Sequence, residues 1–326
     1  MSKKENLSLR DAYGETLVEL GGENPHVVVL DADLSGSTRT SKFAKKFPDR
    51  FFNIGIAEAD MMSTAAGLAV AGKIPFASTF AVFASGRAWD QVRQSICFSK
   101  LNVKIVASHG GITVGEDGPT HHAMEDLALM RVMPNLTVIV PVDAVETASA
   151  IRVMAQTNGP MYLRTAREKF PVLYDKGEKF NIGKGKELKN GSDVAIIACG
   201  LMVSVALEAA EQLEQDGIST AVINMSTIKP IDSELILRVA ATTGSIVTAE
   251  EHSIVGGLGS AVAEVVCENE PVAAVVRVGM KAQLAQSGKP KELLELYGMN
   301  KSSIVGAAHR AIALKREPAH KSGSSS

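Results

Sequence analysis

The residue types best suited to chemistry are concentrated between positions 107 and 126. These positions hold three of the seven histidines, four carboxylic acids and four glycines. An apolar run precedes them and a helical pattern follows, so we predict a long connection at the carboxyl end of a strand. Open α/β sheets bind ligands at that edge, and glycines let the backbone approach a ligand closely. The polar side chains expected to converge there are His109, His121, His122, Glu116, Asp117, Glu125 and Asp126.

Three interpretations of this stretch remain open: a solvated turn, a divalent metal site, and an acid/base and hydrogen-bonding cluster. Histidines and carboxylates are common metal ligands. However, His109 and His121 lie far apart, no histidine pair has i, i+4 spacing, and no cysteine is near. We therefore favour the acid/base cluster and assign no metal ligand to the chain.

Glu58 is a second candidate for chemistry. It precedes a predicted helix of small residues at positions 59–71, and its neighbours include Ile56 and Met61. A carboxyl group in such surroundings would be partly desolvated and could share a proton with a bound base. The alternative is a glutamate in the first turn that stabilises the helix dipole.

The elements that must position these residues follow an alternating pattern. Apolar strands are predicted at 27–30, 75–79, 103–106, 137–140 and 160–164, with helices at 8–21, 59–71, 80–99, 122–132 and from 143. After a linker or hairpin at 168–191, strands are predicted at 193–198, 219–224, 246–250 and 273–278, with helices at 203–215, 233–243 and 259–268. Buried strands alternating with helices indicate two doubly wound α/β domains with mostly parallel sheets, the second smaller. We place the domains at 1–180 and 181–318, with a disordered tail at 319–326.

Two further motifs are explained by structural roles rather than by ligand binding. The glycines at 256–259 follow a strand and open a helix as a phosphate loop does, but their spacing matches no nucleotide motif, so helix packing is favoured. His252, beside Glu250 and Glu251, is interpreted as structural or as part of an interface. Ser37 and Thr38, after the first strand, are either helix caps or ligand contacts.

Composition narrows the class of protein. With 45% hydrophobic residues, 21% charged residues and a net charge of −2, the chain has the composition of a soluble globular protein. Nothing in the charge favours nucleic acid or a membrane surface. Three cysteines without a C-x-x-C motif, and an amino terminus without an apolar core, favour the cytoplasm.

Taken together, the motifs resemble the carboxyl-terminal half of transketolase, which is its pyrimidine-binding domain followed by its C-terminal domain. The resemblance runs from about residue 8 to about residue 313, and Gly-Glu-Asp-Gly-Pro-Thr-His at 115–121 is its most specific motif. Support comes from Gly-Ile-Ala-Glu at 55–58, Ser-Thr-Phe-Ala-Val-Phe at 78–83 and Asp-Ala-Asp-Leu-Ser-Gly-Ser at 31–37.

The resemblance implies thiamin diphosphate as cofactor. Activation of this cofactor requires a carboxyl group hydrogen-bonded to a ring nitrogen of its pyrimidine, and Glu58 resembles that group. Phe83 resembles the ring that stacks on the pyrimidine, with Phe80 beside it and Asp33 near the cofactor. Gly86 departs from the family, which often places an aromatic residue there, so the stacking on the cofactor is expected either to be thinner or to be assisted by Arg87.

The resemblance also implies a sugar-phosphate site. His121, the second residue expected to be catalytic, and Asp117 would hold hydroxyl groups near the reacting carbons. The phosphate would be bound by His109, Ser37, Arg10 and Arg167, with Arg164 as the alternative to Arg167.

One departure from the family concerns the cofactor's diphosphate. Transketolases anchor it and Mg²⁺ through Gly-Asp-Gly and a later Asn pair, and the sequence contains neither. The resemblance therefore implies one subunit of a split transketolase, which pairs with itself in a heterotetramer and obtains Mg²⁺ binding from an N-terminal partner subunit. The implied reaction is two-carbon ketol transfer from xylulose 5-phosphate to ribose 5-phosphate in the pentose phosphate pathway. The alternatives are the beta subunit of a two-oxoacid dehydrogenase, a non-catalytic scaffold and a metal-dependent hydrolase.

Overall fold

A computed structural model describes residues 5–269, 273–281 and 283–315. The strands are β1 (Asn6–Ser8), β2 (Val27–Asp31), β3 (Phe51–Asn53), β4 (Ile74–Phe80), β5 (Lys104–Ser108), β6 (Thr137–Ile139), β7 (Met161–Arg164), β8 (Lys169–Pro171), β9 (Lys186–Lys189), β10 (Val194–Ala198), β11 (Thr220–Asn224), β12 (Thr227–Lys229), β13 (Ser245–Ser253) and β14 (Ala274–Met280). The α-helices are α1 (Leu9–Glu23), α2 (Ser35–Thr38), α3 (Ser41–Lys46), α4 (Glu58–Val70), α5 (Trp89–Gln91), α6 (Asp126–Arg131), α7 (Ala144–Gln156), α8 (Met202–Gln215), α9 (Ser233–Thr243), α10 (Leu258–Glu268), α11 (Pro290–Leu296) and α12 (Lys301–Leu314).

The larger sheet has the strand order β12-β6-β7-β5-β4-β2-β3. Strands β2 to β7 run parallel to their neighbours, and β12 pairs antiparallel with β6. Since the chain goes from β2 outward to β3 and then returns to β4, the strand order reverses between β2 and β4. Open α/β sheets bind ligands at such a reversal, outside the carboxyl ends of the strands.

Helices cover both faces of this sheet, which explains the continuous apolar sequence of its strands. Leu17 of α1 and Ile151 of α7 pack with Val27 on one face. Met61 and Ala65 of α4 belong to the core on the opposite face. The predicted doubly wound arrangement is confirmed. Ser8 caps α1 by accepting a hydrogen bond from the Asp11 amide.

The smaller sheet has the order β14-β13-β10-β11-β9, in which β9 alone runs antiparallel among the strands described. Helices α8 and α12 contribute to one hydrophobic core, while α9 and α10 contribute to the core that continues under the larger sheet. The second α/β domain is thereby confirmed. In the part of the chain that the structure covers, no helix is long and apolar enough to span a membrane.

The structure differs from the sequence prediction in several places. The single helix predicted at 80–99 is replaced by the end of β4 and by two π-helical stretches, Phe83–Arg87 and Val92–Cys97, on either side of α5. The predicted linker contains β8, which pairs with β1, and β9. Strand β12 lies in the second half of the chain but extends the first sheet. The domain boundary at 180 stays a prediction, and the predicted disordered tail lies outside the described residues.

Glu146 is the centre of a buried polar network between the two halves. Its carboxylate accepts hydrogen bonds from the Val142 amide (2.7 Å), the Ser226 hydroxyl (2.6 Å) and the Asn224 side-chain amide (3.1 Å). Burial raises the pKa of Glu146 from 4.5 to about 7, although these hydrogen bonds oppose the shift. Between these two pH values the folded chain retains a proton that the unfolded chain has lost. The free energy of unfolding therefore falls as the pH rises through this window.

Replacing Glu146 by Gln removes this ionisation and is expected to flatten the pH dependence of stability. Between pH 5 and pH 8 the wild-type chain should lose about 1–3 kcal/mol more than E146Q does. Urea unfolding of both proteins at each pH measures the difference. Glu208→Gln, at an exposed position of α8, should behave like wild type, and an equal loss in wild type and E146Q would refute the prediction.

Candidate active site

Glu58 is the first residue of α4 and is only 4% exposed. Its Oε1 accepts a hydrogen bond from Nη1 of Arg87 at 2.9 Å, and the Arg87 side chain is 53% exposed. A glutamate that served only the helix dipole would have no need of this burial or of a partner outside its own helix. The structure therefore favours a functional role for Glu58 over a role in stabilising the helix dipole alone.

Aromatic rings form one wall beside this pair. Phe80 and Phe83 stack with centroids 5.7 Å apart and an interplanar angle of 13°. The guanidinium carbon of Arg87 lies 3.9 Å from the centroid of Phe83, a contact that the i, i+4 spacing of the two residues allows. Arg87 thus fills a slot between the Phe83 ring and the Glu58 carboxylate.

His109 stacks on the other side of this wall, 3.7 Å from the centroid of Phe80. Its φ of +59° lies in the left-handed region, which non-glycine residues seldom adopt and which is often found at functional sites. Burial lowers the pKa of His109 to about 3, and the charges of Arg10 and Arg167 contribute to the shift. The imidazole is therefore neutral near pH 7 and takes part through hydrogen bonding rather than as a cation.

His121 meets the same wall edge-on, with centroids 5.4 Å from Phe83 and 6.3 Å from Phe80. Its Nδ1 lies 2.9 Å from the Thr120 hydroxyl, which leaves Nε2 available to a ligand. The adjacent His122 is buried instead, with Nε2 3.0 Å from the Gly115 carbonyl, and supports the loop.

The cationic side chains lie together at another end of the site. Arg10 donates to the carbonyl oxygens of Ser37 (2.8 Å) and Arg167 (2.9 Å), and Arg167 lies 3.5 Å from an oxygen of Asp117. Burial, and next the charge of Arg39, lowers the pKa of Arg10. Because an anion would relieve this repulsion, the cluster is suited to a phosphate or a similar group.

Arg164 lies elsewhere, in a buried network between the two halves of the chain. It is 5% exposed, donates from Nη2 to the Glu251 carbonyl at 2.7 Å and lies 3.5 Å from Asp126. The Glu251 carboxylate in turn accepts a hydrogen bond from the Thr113 amide at 2.7 Å. These contacts occupy Arg164, so the structure favours Arg167 as the member of the cationic cluster.

The glycine-rich segment at 256–259 binds the carboxylate of Glu250 rather than leaving its amides free for a ligand. Glu250 accepts hydrogen bonds from the Leu258 amide (2.7 Å) and the Gly259 amide (2.8 Å) at the start of α10. His252 is fully buried and its Nδ1 lies 2.7 Å from the Ser253 carbonyl. These contacts agree with a packing role for the glycines and with a structural role for His252.

Two predicted positions stand apart from the cluster. Asp33 is exposed after β2, and it exchanges two hydrogen bonds with Asn53 at the end of β3 (3.0 and 3.1 Å). Thr38 donates to the buried Asp31 carboxylate at 2.7 Å, and the Asp31 side chain also accepts from the Leu34 amide. Neither Ser37 nor Thr38 is the N-cap of this helix, because both lie within α2, whose N-cap residue is Leu34.

Sequence reasoning missed the Asn53 contact and the ion pair of Arg87. The i, i+4 spacing of Phe83 and Arg87 was the signal available for the second. Among the residues that the structure describes, no three histidine, cysteine or carboxylate side chains form a metal-binding group.

Comparison with known proteins identifies the family. Residues 5–172 match the family described as transketolase, pyrimidine binding domain, and residues 183–304 match transketolase, C-terminal domain. The chain is 51% identical over 299 residues to the putative transketolase C-terminal section of Methanocaldococcus jannaschii, covering 91% of this chain and 94% of that protein. It is 42% identical to the 6-deoxy-6-sulfo-D-fructose transketolase subunit SqwH of Clostridium sp. (strain MSTE9), covering 96% of this chain and 97% of that protein.

Longer relatives and solved structures agree. The chain is 39% identical to transketolase of Homo sapiens over 94% of its own length and spans 49% of the human protein. A structure described as split gene transketolase, inactive beta4 tetramer, superposes with a TM-score of 0.89 at 53% identity and covers 95% of this chain and 100% of that one. The chain therefore belongs to the transketolase family and carries the pyrimidine-binding and C-terminal domains of these enzymes.

Proposed function

We propose that this chain is the C-terminal subunit of a split transketolase, which moves a two-carbon ketol unit from a ketose phosphate to an aldose phosphate. Xylulose 5-phosphate and ribose 5-phosphate are the proposed pair. The supporting observation is Glu58, a buried carboxylate beside the stacked Phe80 and Phe83, near the reversal of strand order. A scaffold would have no use for a buried acid in that place.

The slot around Glu58 fits the aminopyrimidine of thiamin diphosphate. Arg87, a planar group with N–H donors, already lies flat on Phe83 and donates to Glu58, so the slot accepts a flat ring that presents an N–H. When bound, the cofactor supplies the nucleophilic carbon for breaking and forming the carbon–carbon bond of the sugars. Glu58 would hold the proton of the ring nitrogen, and Phe83 would orient the ring and exclude water. Asp33 is proposed to lie near the cofactor.

The remaining polar residues would position the sugars. His121 is proposed to hydrogen-bond the hydroxyl groups at the reacting carbons and to move a proton there, with Asp117 beside it. Arg10, Arg167, Ser37 and the neutral His109 are proposed to bind the phosphate. In this structure Arg167 forms an ion pair with Asp117. A bound substrate must therefore either break this ion pair or contact both side chains while it persists.

The diphosphate and Mg²⁺ are proposed to be bound by a separate N-terminal subunit. The sequence lacks Gly-Asp-Gly and an Asn pair, and two relatives are described as a C-terminal section and as a split gene product. Two copies of this chain and two of the partner would form a heterotetramer. The inactivity that one structure's description gives for a beta4 tetramer agrees with a site that is incomplete without the partner. We propose the cytoplasm as its location, since the cysteines are free.

Reconstitution tests this function. The chain, the proposed partner subunit, thiamin diphosphate and Mg²⁺ should together convert xylulose 5-phosphate and ribose 5-phosphate to seven- and three-carbon sugar phosphates, measured by mass spectrometry. Oxidative decarboxylation of pyruvate by the same complex, without ketol transfer, would favour the two-oxoacid dehydrogenase alternative. A preference for 6-deoxy-6-sulfofructose would support ketol transfer with a different donor sugar. A sulfonate would also suit the arginine cluster.

A further inference from the structure

Arg87 occupies the place that the proposed function gives to the pyrimidine ring. Its guanidinium lies 3.9 Å from the centroid of Phe83, and its Nη1 donates to Oε1 of Glu58 at 2.9 Å. A pyrimidine that stacks on Phe83 and hydrogen-bonds Glu58 needs the same ring face and a carboxylate oxygen of the same residue. Arg87 and the pyrimidine would therefore compete for the Phe83 ring and the Glu58 carboxylate.

We propose that Arg87 is a placeholder that must leave this slot before the cofactor binds. This inference rests on the proposed function, because it concerns the same site. A buried carboxylate without a partner is costly, and the guanidinium satisfies Glu58 while no cofactor is present. The aromatic face of Phe83 is covered at the same time.

The local structure allows Arg87 to leave. Its side chain is 53% exposed, so it makes a partly solvated ion pair of the kind that is weakly held. It ends the π-helical stretch Phe83–Arg87, and such stretches are frequent at functional sites. The preceding Gly86 is exposed, and a Cβ built there meets no atom within 4 Å. Open space thus adjoins the chain at Gly86, one residue before Arg87.

This role distinguishes Arg87 from a residue that assists stacking. Removing a placeholder should tighten cofactor binding, whereas removing a helper, or damaging the fold, should weaken it. Calorimetric titration of the assembled complex with thiamin diphosphate at fixed Mg²⁺ measures the dissociation constant without relying on activity. For Arg87→Met we expect this constant to fall about three- to tenfold, since a partly solvated ion pair and a cation–π contact no longer need to be broken.

Two further variants sharpen the test. Arg87→Lys keeps the charge but loses the flat stacking group, so its dissociation constant should lie between those of wild type and R87M. Arg93→Met removes an exposed arginine from the same segment and should change the constant by less than about twofold. An unchanged or raised constant in R87M would overturn the placeholder role. Failure of the wild-type complex to bind thiamin diphosphate would instead overturn the proposed function, and the inference with it.

Discussion

Replacing Glu58 by Gln is expected to lower the turnover number of the assembled enzyme by about 10²- to 10⁴-fold. The amide keeps the size of the side chain but cannot hold the proton that cofactor activation requires. The Michaelis constants for the sugars should change little, because the proposed sugar-binding residues are untouched. Steady-state kinetics with saturating cofactor provide the measurement, and circular dichroism checks the fold.

Asp60→Asn is the matched control for this prediction. Asp60 lies in the same first turn of α4 but is exposed, so its replacement should leave turnover within about twofold of wild type. A folded E58Q enzyme that retained more than about a tenth of wild-type turnover would show that Glu58 does not carry the proton.

Arg164→Met is expected to lower the free energy of unfolding by about 3–5 kcal/mol. Burial alone lowers the pKa of Arg164, but Asp126 and Glu251 outweigh burial and raise it, so the residue is charged. Its loss leaves two buried carboxyl groups without their cation. A Cβ at Gly110 or Gly111 would overlap Arg164 or Glu251, which shows how closely the site loop packs on this network.

Urea unfolding of the isolated chain measures this effect, with Arg152→Met as control. Arg152 pairs on the surface with Glu19, so its loss should cost less than about 1 kcal/mol. Equal losses in R164M and R152M would show that the buried network contributes nothing special to stability.

The sequence was sufficient to predict the central parallel strands of both sheets and several of the side chains that lie together at the candidate site. Val27–Asp31 and Lys104–Ser108 are buried along their whole length, so parallel pairing under two helical layers follows from their apolar runs. His109 and Phe80 lie at the carboxyl ends of adjacent strands, where the fold class alone brings side chains together.

Other features depend on contacts that no local pattern encodes. The Arg164–Glu251 hydrogen bond joins residues 87 positions apart, and β12 joins a sheet built by the other half of the chain. In the two π-helical stretches, 83–87 and 92–97, the apolar residues are spaced nearly as in an ordinary α-helix. Their periodicity therefore predicted one continuous helix. The ion pair of Arg87 joins this segment to Glu58 at the start of α4, 29 positions earlier in the chain.

The most direct test of the divided site is a titration of the isolated chain and of its complex with thiamin diphosphate and Mg²⁺. The complex should bind one cofactor for each copy of this chain and transfer the ketol unit, whereas the isolated chain should show neither saturable binding nor turnover. Saturable binding and sugar turnover by the isolated chain would contradict the account.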